Sequence, residues 1–199
     1  MPAKVVLITE PALAWDDLVP RVRAILAAVP PGSVAVQLRA KQLDGGAVFA
    51  MARALVATGV ELWVNDRVDI ALAAGAAGVH LPEHGLDVAD VRALTKLPIA
   101  CSRHSVAAAL ACDADAIQLG PIFDTPGKRP IGLEPLREVG KHARLIAVGG
   151  IDSEDSASLA VAAGADAVAV IRAAWTTPDP VATIQSLLAG VAAKLASRR

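Results

Sequence analysis

The chain has 199 residues, 54% of them hydrophobic and 20% charged, enough for one complete domain with a core and thin for two. Nineteen Lys and Arg against twenty Asp and Glu leave a formal net charge of −1, so any anion site must be local rather than a general basic surface. Aromatic residues are only 3%, which excludes stacking platforms for single-stranded nucleic acid, and two cysteines, Cys101 and Cys112, cannot build a disulfide scaffold or a Cys-only zinc site.

Short apolar runs alternate with Ala-rich amphipathic stretches. Strands are expected over 5–9, 34–39, 61–65, 78–81, 99–102, 116–120, 145–148 and 167–171. Helical stretches include 15–29, 46–58, 67–74 and 153–163. Several strands are almost wholly apolar, as expected when both faces are covered. Strict alternation implies a parallel sheet with right-handed crossovers, and eight units are the count that closes a (β/α)8 TIM barrel. An open doubly wound sheet stays as the alternative. Three similar segments, 74–79, 112–117 and 163–168, each join a helix to a strand, and they read as turns on the stability face. No linker or second domain is evident, so 1–199 reads as a single domain. The start MPAKVVLITE lacks the pattern of a signal peptide. No run approaches the ~18 apolar residues of a spanning helix. The expectation is a soluble cytoplasmic protein with no membrane or nucleic-acid partner; a homo-oligomer is left open.

Polar residues concentrate at the C-terminal ends of the expected strands, where α/β barrels carry their chemistry. Gln37, Arg39 and Lys41 alternate by two, so on an extended segment they share a face. An amide with two cations suits a phosphate or diphosphate; a solvated strand end is the plainer reading. Asp66, after Asn65, suits either a Mg²⁺ bridging phosphate oxygens or the cap of the next helix. His80 and His104 are possible proton carriers or hydrogen-bonded structural residues. Residues 120–132, with Thr125 and Lys128, form either a mobile lid or a surface loop. Gly149-Gly150 before a helix capped by Asp152 or Ser153 reads as a phosphate cradle, and Arg172 could add charge to it.

Taken together, these strand ends resemble the thiamine-phosphate synthase/TenI family over almost the whole chain. The marks are Leu7-Ile8-Thr9, Gln37-Leu38-Arg39-Ala40-Lys41, Asn65-Asp66-Arg67-Val68-Asp69, Gly78-Val79-His80-Leu81, Ser102-Arg103-His104-Ser105, Gly120-Pro121-Ile122-Phe123 and Gly149-Gly150-Ile151. The resemblance implies a (β/α)8 fold and a role in thiamin biosynthesis. In the synthases, hydroxymethylpyrimidine diphosphate loses diphosphate and the thiazole phosphate nitrogen captures the pyrimidine cation. The matching substrate and diphosphate residues are Gln37, Arg39, Lys41, Asn65, His80, Ser102, Thr125 and Lys128. Gly149, Gly150, Ile171 and Arg172 match the thiazole-phosphate cradle, and Asp66 matches a Mg²⁺ ligand.

Four positions depart from the synthase pattern. Gly85 stands where a second metal-binding Asp is usual, with Glu83 a conceivable substitute. Gly127 replaces a Thr, Arg172 a Ser, and Val6 an aromatic. The missing Asp turns the expectation toward a TenI-type thiazole tautomerase, which aromatises a carboxythiazole phosphate with His104 moving the proton and no metal required. A Mg²⁺-dependent synthase is the alternative, and a non-catalytic thiamin-phosphate-binding regulator a third. The implied partners are a phosphorylated thiazole and, for a synthase, a pyrimidine diphosphate.

Overall fold

The computed structural model describes residues 3–9 and 15–197. Eight strands pair in chain order, each parallel to the next, and β8 pairs with β1 to close the barrel. They are β1 Val5–Ile8, β2 Val34–Leu38, β3 Glu61–Asn65, β4 Gly78–Leu81, β5 Ile99–Arg103, β6 Ala116–Leu119, β7 Arg144–Val148 and β8 Ala167–Val170. Each expected strand is found to within one residue at either end, and closure removes the open-sheet alternative.

Period two divides each strand between two cores. Outward residues such as Val5, Leu7, Val36, Leu62, Val79 and Cys101 pack against the surrounding helices. Inward residues make a smaller cluster of Val6, Ile8, Ala35, Ala100, Ala116, Ile146, Ala167 and Ala169, with Trp63 packed against it. Ala35, Ala100 and Ala116 share this interior with Trp63 and the longer side chains of Gln37, Glu61, His80, Gln118 and Arg144. A Cβ on Gly78 would come within 2.5 Å of the Trp63 ring, so the neighbouring strand must carry glycine there. Val6, where an aromatic was expected, thus lies in a barrel whose large inner ring comes from β3.

The repeated helix-to-strand segments are structural, as expected. Asp115 accepts from the Ile99 N–H at 2.8 Å, and Asp166 accepts from the Leu145 N–H at 3.0 Å. The backbone N–H of each returns a bond to the same partner's carbonyl. Each Asp therefore clasps the start of the preceding strand, away from the mouth. In the first segment Ala77 keeps only the backbone half of this clasp, to Leu62. Among the described residues, no helix is long and apolar enough to cross a membrane.

Candidate functional site

The strand order brings the predicted polar strand ends to one mouth. Gln37 is 2% exposed, although it sits in an otherwise apolar strand. Its Nε2 donates to Asn65 Oδ1 at 3.2 Å, and its Oε1 accepts from Gln118 Nε2 at 2.7 Å. His80, 1% exposed, shares a 2.8 Å hydrogen bond with Ser102 Oγ. Its Nδ1 is buried without a hydrogen-bond partner. Burial, reinforced by the positive charges of Arg39 and Arg103, pushes the His80 pKa down to about 3. The ring is therefore neutral at physiological pH, which removes His80 from the proton-carrier expectation and leaves it a hydrogen-bonding wall.

Arg39 is half-buried just past β2, its backbone tied to Thr9. Lys41 does not continue that face. β2 ends at Leu38, and Lys41 lies exposed in a turn closed by Leu43 N–H to Ala40 O. Gln37 thus lies within the strand, Arg39 just beyond its end and Lys41 in the turn that follows.

Asp66 is the one described non-glycine residue with positive φ, at 69°. It does not cap the next helix, α3 (Val68–Ala74): the N-cap position is Arg67 and no side chain caps it. A Cβ on Gly85 would lie 3.2 Å from Asp66 Oδ1. The position expected to carry a second carboxylate therefore faces Asp66, and here it carries none. Glu83, the conceivable substitute, is turned toward His104. Its Oε1 accepts from the His104 backbone N–H at 3.2 Å, and its Oε2 lies 3.8 Å from His104 Nε2. Among the described residues, no three His, Cys, Asp or Glu side chains form a metal-holding group. A lone carboxylate fits Mg²⁺ only where ligand phosphate oxygens and water complete the shell.

His104 is oriented from both sides. Its Nδ1 is 2.6 Å from the Gly120 carbonyl oxygen, which can only accept, so Nδ1 carries a proton. Nε2 lies on the side of the Glu83 carboxylate. The side chain is 48% exposed, open to a ligand at the mouth.

The opposite side of the mouth gathers around two adjacent glycines. A cavity of about 500 Å³ is lined by Gly149, Gly150, Ile171, Arg172 and Thr125, among others. Gly149 and Gly150 have φ of 98° and 67°, favourable for glycine. Added Cβ atoms would meet Pro121 at 2.5 Å and the Asp124 carbonyl oxygen at 2.6 Å. The pair is thus required by the neighbouring loop as well as open to a ligand. Ser153, rather than Asp152, caps the helix that follows, α7 (Glu154–Ala162), in a capping box with Ser156. Ile171 and Arg172 open the short helix α8 (Arg172–Trp175) after β8.

The 120–132 loop is anchored at its root by Ile122 N–H to Val148 O at 2.9 Å and Phe123 N–H to Gly149 O at 3.0 Å. At its tip, Lys128 N–H bonds Thr125 O at 3.0 Å around Pro126-Gly127. Gly127 has φ of 74°, which a tight turn of this kind uses and a Thr would resist. Lys128 is exposed there, above the cavity edge that Thr125 lines.

Two residues at this mouth were not singled out in the sequence. Gln118 could have been found by period two, since it shares the inward face of β6 with Ala116. Arg103 follows Ser102 in an expected strand end, and its guanidinium donates to the Ser102 carbonyl at 2.7 Å.

The thiamine monophosphate synthase family (TMP-TENI) matches residues 5–174. A thiamine-phosphate synthase of Roseiflexus sp. is 38% identical over 190 residues, covering 87% of this chain and 80% of its own. One from Gloeobacter violaceus is 37% identical over 192 residues, covering 89% of this chain; the alignment spans 54% of that longer protein. The solved structure of thiamine phosphate pyrophosphorylase from Pyrococcus furiosus superposes with a TM-score of 0.85 at 30% identity, covering 96% of both chains. With the barrel closed and these strand ends gathered at one mouth, the chain belongs to the thiamine-phosphate synthase/TenI family and is an enzyme.

Proposed function

We propose that this enzyme is a thiamine-phosphate synthase, joining hydroxymethylpyrimidine diphosphate to thiazole phosphate with release of diphosphate. The similarity to proteins named as synthases supports this alternative over the tautomerase expectation. The observation that carries it is the two-sided mouth. One side carries cations and amides suited to a leaving diphosphate, and the other a glycine-lined pocket suited to a second phosphate. A tautomerase has one phosphorylated substrate and needs only one of these.

On this reading Arg39, Asn65, Ser102 and Lys128 hold the diphosphate, and Lys41 reaches it only by leaving its exposed turn. The carbon–oxygen bond breaks with its electron pair going to the diphosphate. The thiazole nitrogen lone pair then forms the new carbon–nitrogen bond. Positive groups set around the leaving group lower the barrier because the charge they meet grows in the transition state. Neutral His80 and Gln37 wall the pyrimidine side without adding a charge that would oppose its cation. Gly149, Gly150 and the Ile171–Arg172 backbone orient the thiazole phosphate. Asp66 would hold Mg²⁺, which supplies further neutralisation of the diphosphate.

A second reading keeps one specific observation. His104, with Nδ1 fixed as a donor and Nε2 beside Glu83, is arranged to move a proton, which the condensation does not need. That arrangement suits a thiazole tautomerase using the same phosphate cradle.

A paired turnover assay tests both. Purified protein with both synthase substrates and Mg²⁺ is expected to form thiamin phosphate and diphosphate. Aromatisation of the carboxythiazole phosphate above its spontaneous rate, without condensation, would replace this reading with the second.

A further inference from the structure

Gln118 has no counterpart among the residues that carry the family resemblance, yet it begins a chain of amides leading to the mouth. It is 4% exposed, on the inward face of β6. Its Nε2 donates to Gln37 Oε1 at 2.7 Å, and Gln37 Nε2 donates in turn to Asn65 Oδ1 at 3.2 Å. A side-chain amide has one donating and one accepting end, so each link fixes the next. With its oxygen taken by Gln118, Gln37 must turn its NH2 toward Asn65. With its oxygen taken by Gln37, Asn65 keeps its own NH2 for another partner.

We infer that Gln118 is a positioning residue that sets the polarity of this amide chain, so that Asn65 offers N–H donors rather than a carbonyl oxygen to an anionic group at the mouth. The functional part of this rests on Asn65 serving the diphosphate. Reversing the chain would aim a carbonyl oxygen at that anion, exchanging attraction for repulsion. Burial couples the three amides, because a flip of Gln37 alone would leave both of its contacts unmatched and a buried amide left unpaired is costly.

Gln118→Met keeps the volume and removes the donor. In the native enzyme, side-chain amide hydrogen exchange followed by NMR is expected to be slow for the Gln118 and Gln37 NH2 groups and fast for Asn65. In the variant, protection of the Gln37 NH2 falls. KM for the pyrimidine diphosphate is expected to rise about 10-fold, as for a weakened hydrogen bond to a charged group, while KM for thiazole phosphate and the melting temperature hold. A protected Asn65 NH2 with an unprotected Gln118 NH2 in the native enzyme overturns the inference, with or without turnover. So does a variant in which both KM values move together with the melting temperature. The exchange pattern needs no activity, so an inactive enzyme with the expected pattern refutes the synthase reading and leaves the amide polarity standing. A variant that does not fold leaves the decision to the native exchange pattern.

Discussion

On the β2–β5 side of the mouth the polar groups are side chains: half-buried Arg39, Asn65 and Ser102, with Asn65 and Ser102 hydrogen-bonded to buried Gln37 and His80. On the β7–β8 side the pocket forms around two glycines of positive φ and the start of a four-residue helix, with Thr125 and Arg172 in its lining. The difference decides what each side tolerates. The first is sensitive to what a side chain carries, since removing one charge or reversing one amide alters the field a ligand meets. The second is sensitive to what a side chain occupies, since one added methyl group collides with the loop packed against it.

The largest expected effect therefore comes from Arg39→Ala. Losing a charged clamp on a developing anion costs about 10²–10³-fold in kcat/KM for the pyrimidine diphosphate. KM for thiazole phosphate should be unchanged in the same steady-state experiment. An equal loss for both substrates would break the division of the mouth.

Gly149→Ala should do the reverse. The added Cβ meets Pro121 at 2.5 Å and the φ of 98° disfavours any L side chain. Strain of this kind costs about 1–3 kcal/mol, readable in the melting temperature, and binding of thiazole phosphate should fall more than binding of diphosphate. Unaltered stability would mean that the loop gives way.

Gly85→Asp sharpens the comparison on the side-chain half. A Cβ there lies 3.2 Å from Asp66 Oδ1, so a second carboxylate would join the first. The Mg²⁺ concentration for half-maximal condensation should drop about 10-fold, because affinity follows the number of charged ligands. A higher Mg²⁺ requirement would show that Asp66 is not the metal's residue.

The smallest effect is a pH dependence. Because the folded pKa of His80 is depressed to about 3, the unfolded chain binds this proton more readily. Stability from His80 is thus complete above its ordinary value of 6.5 and is lost progressively as pH falls toward about 3. Denaturant unfolding of His80→Gln at pH 5 and pH 8 should show a shallower pH dependence than the native chain.

Much of this was legible in the sequence because it depends on local pattern. Apolar runs of strand length, separated by helices, placed all eight strands, and the barrel rule then pointed to their C-terminal ends. Ser102, Asn65 and Gly149-Gly150 come to the mouth for that reason. What could not be read depends on register and on contacts between neighbouring loops. Gln118 lies in the short run Ala116–Leu119, and its meeting with Gln37, 81 residues away, needs the barrel to be closed. Glu83 is near position 85 in sequence, yet the β4 and β5 loops bring it to His104. Lys41 shares a face with Gln37 only on an extended segment, and β2 stops at Leu38. The glycine pair announced a close approach, but not that a loop makes part of it.

The central claim is that the mouth holds two anions at once by two different means. Isothermal titration of inorganic pyrophosphate into enzyme already saturated with thiazole phosphate, with Mg²⁺ present, tests it most directly. One pyrophosphate site is expected to remain available in the presence of the thiazole phosphate, weakened by Arg39→Ala and kept in Gly149→Ala. Competition between the two ligands for a single site would contradict it.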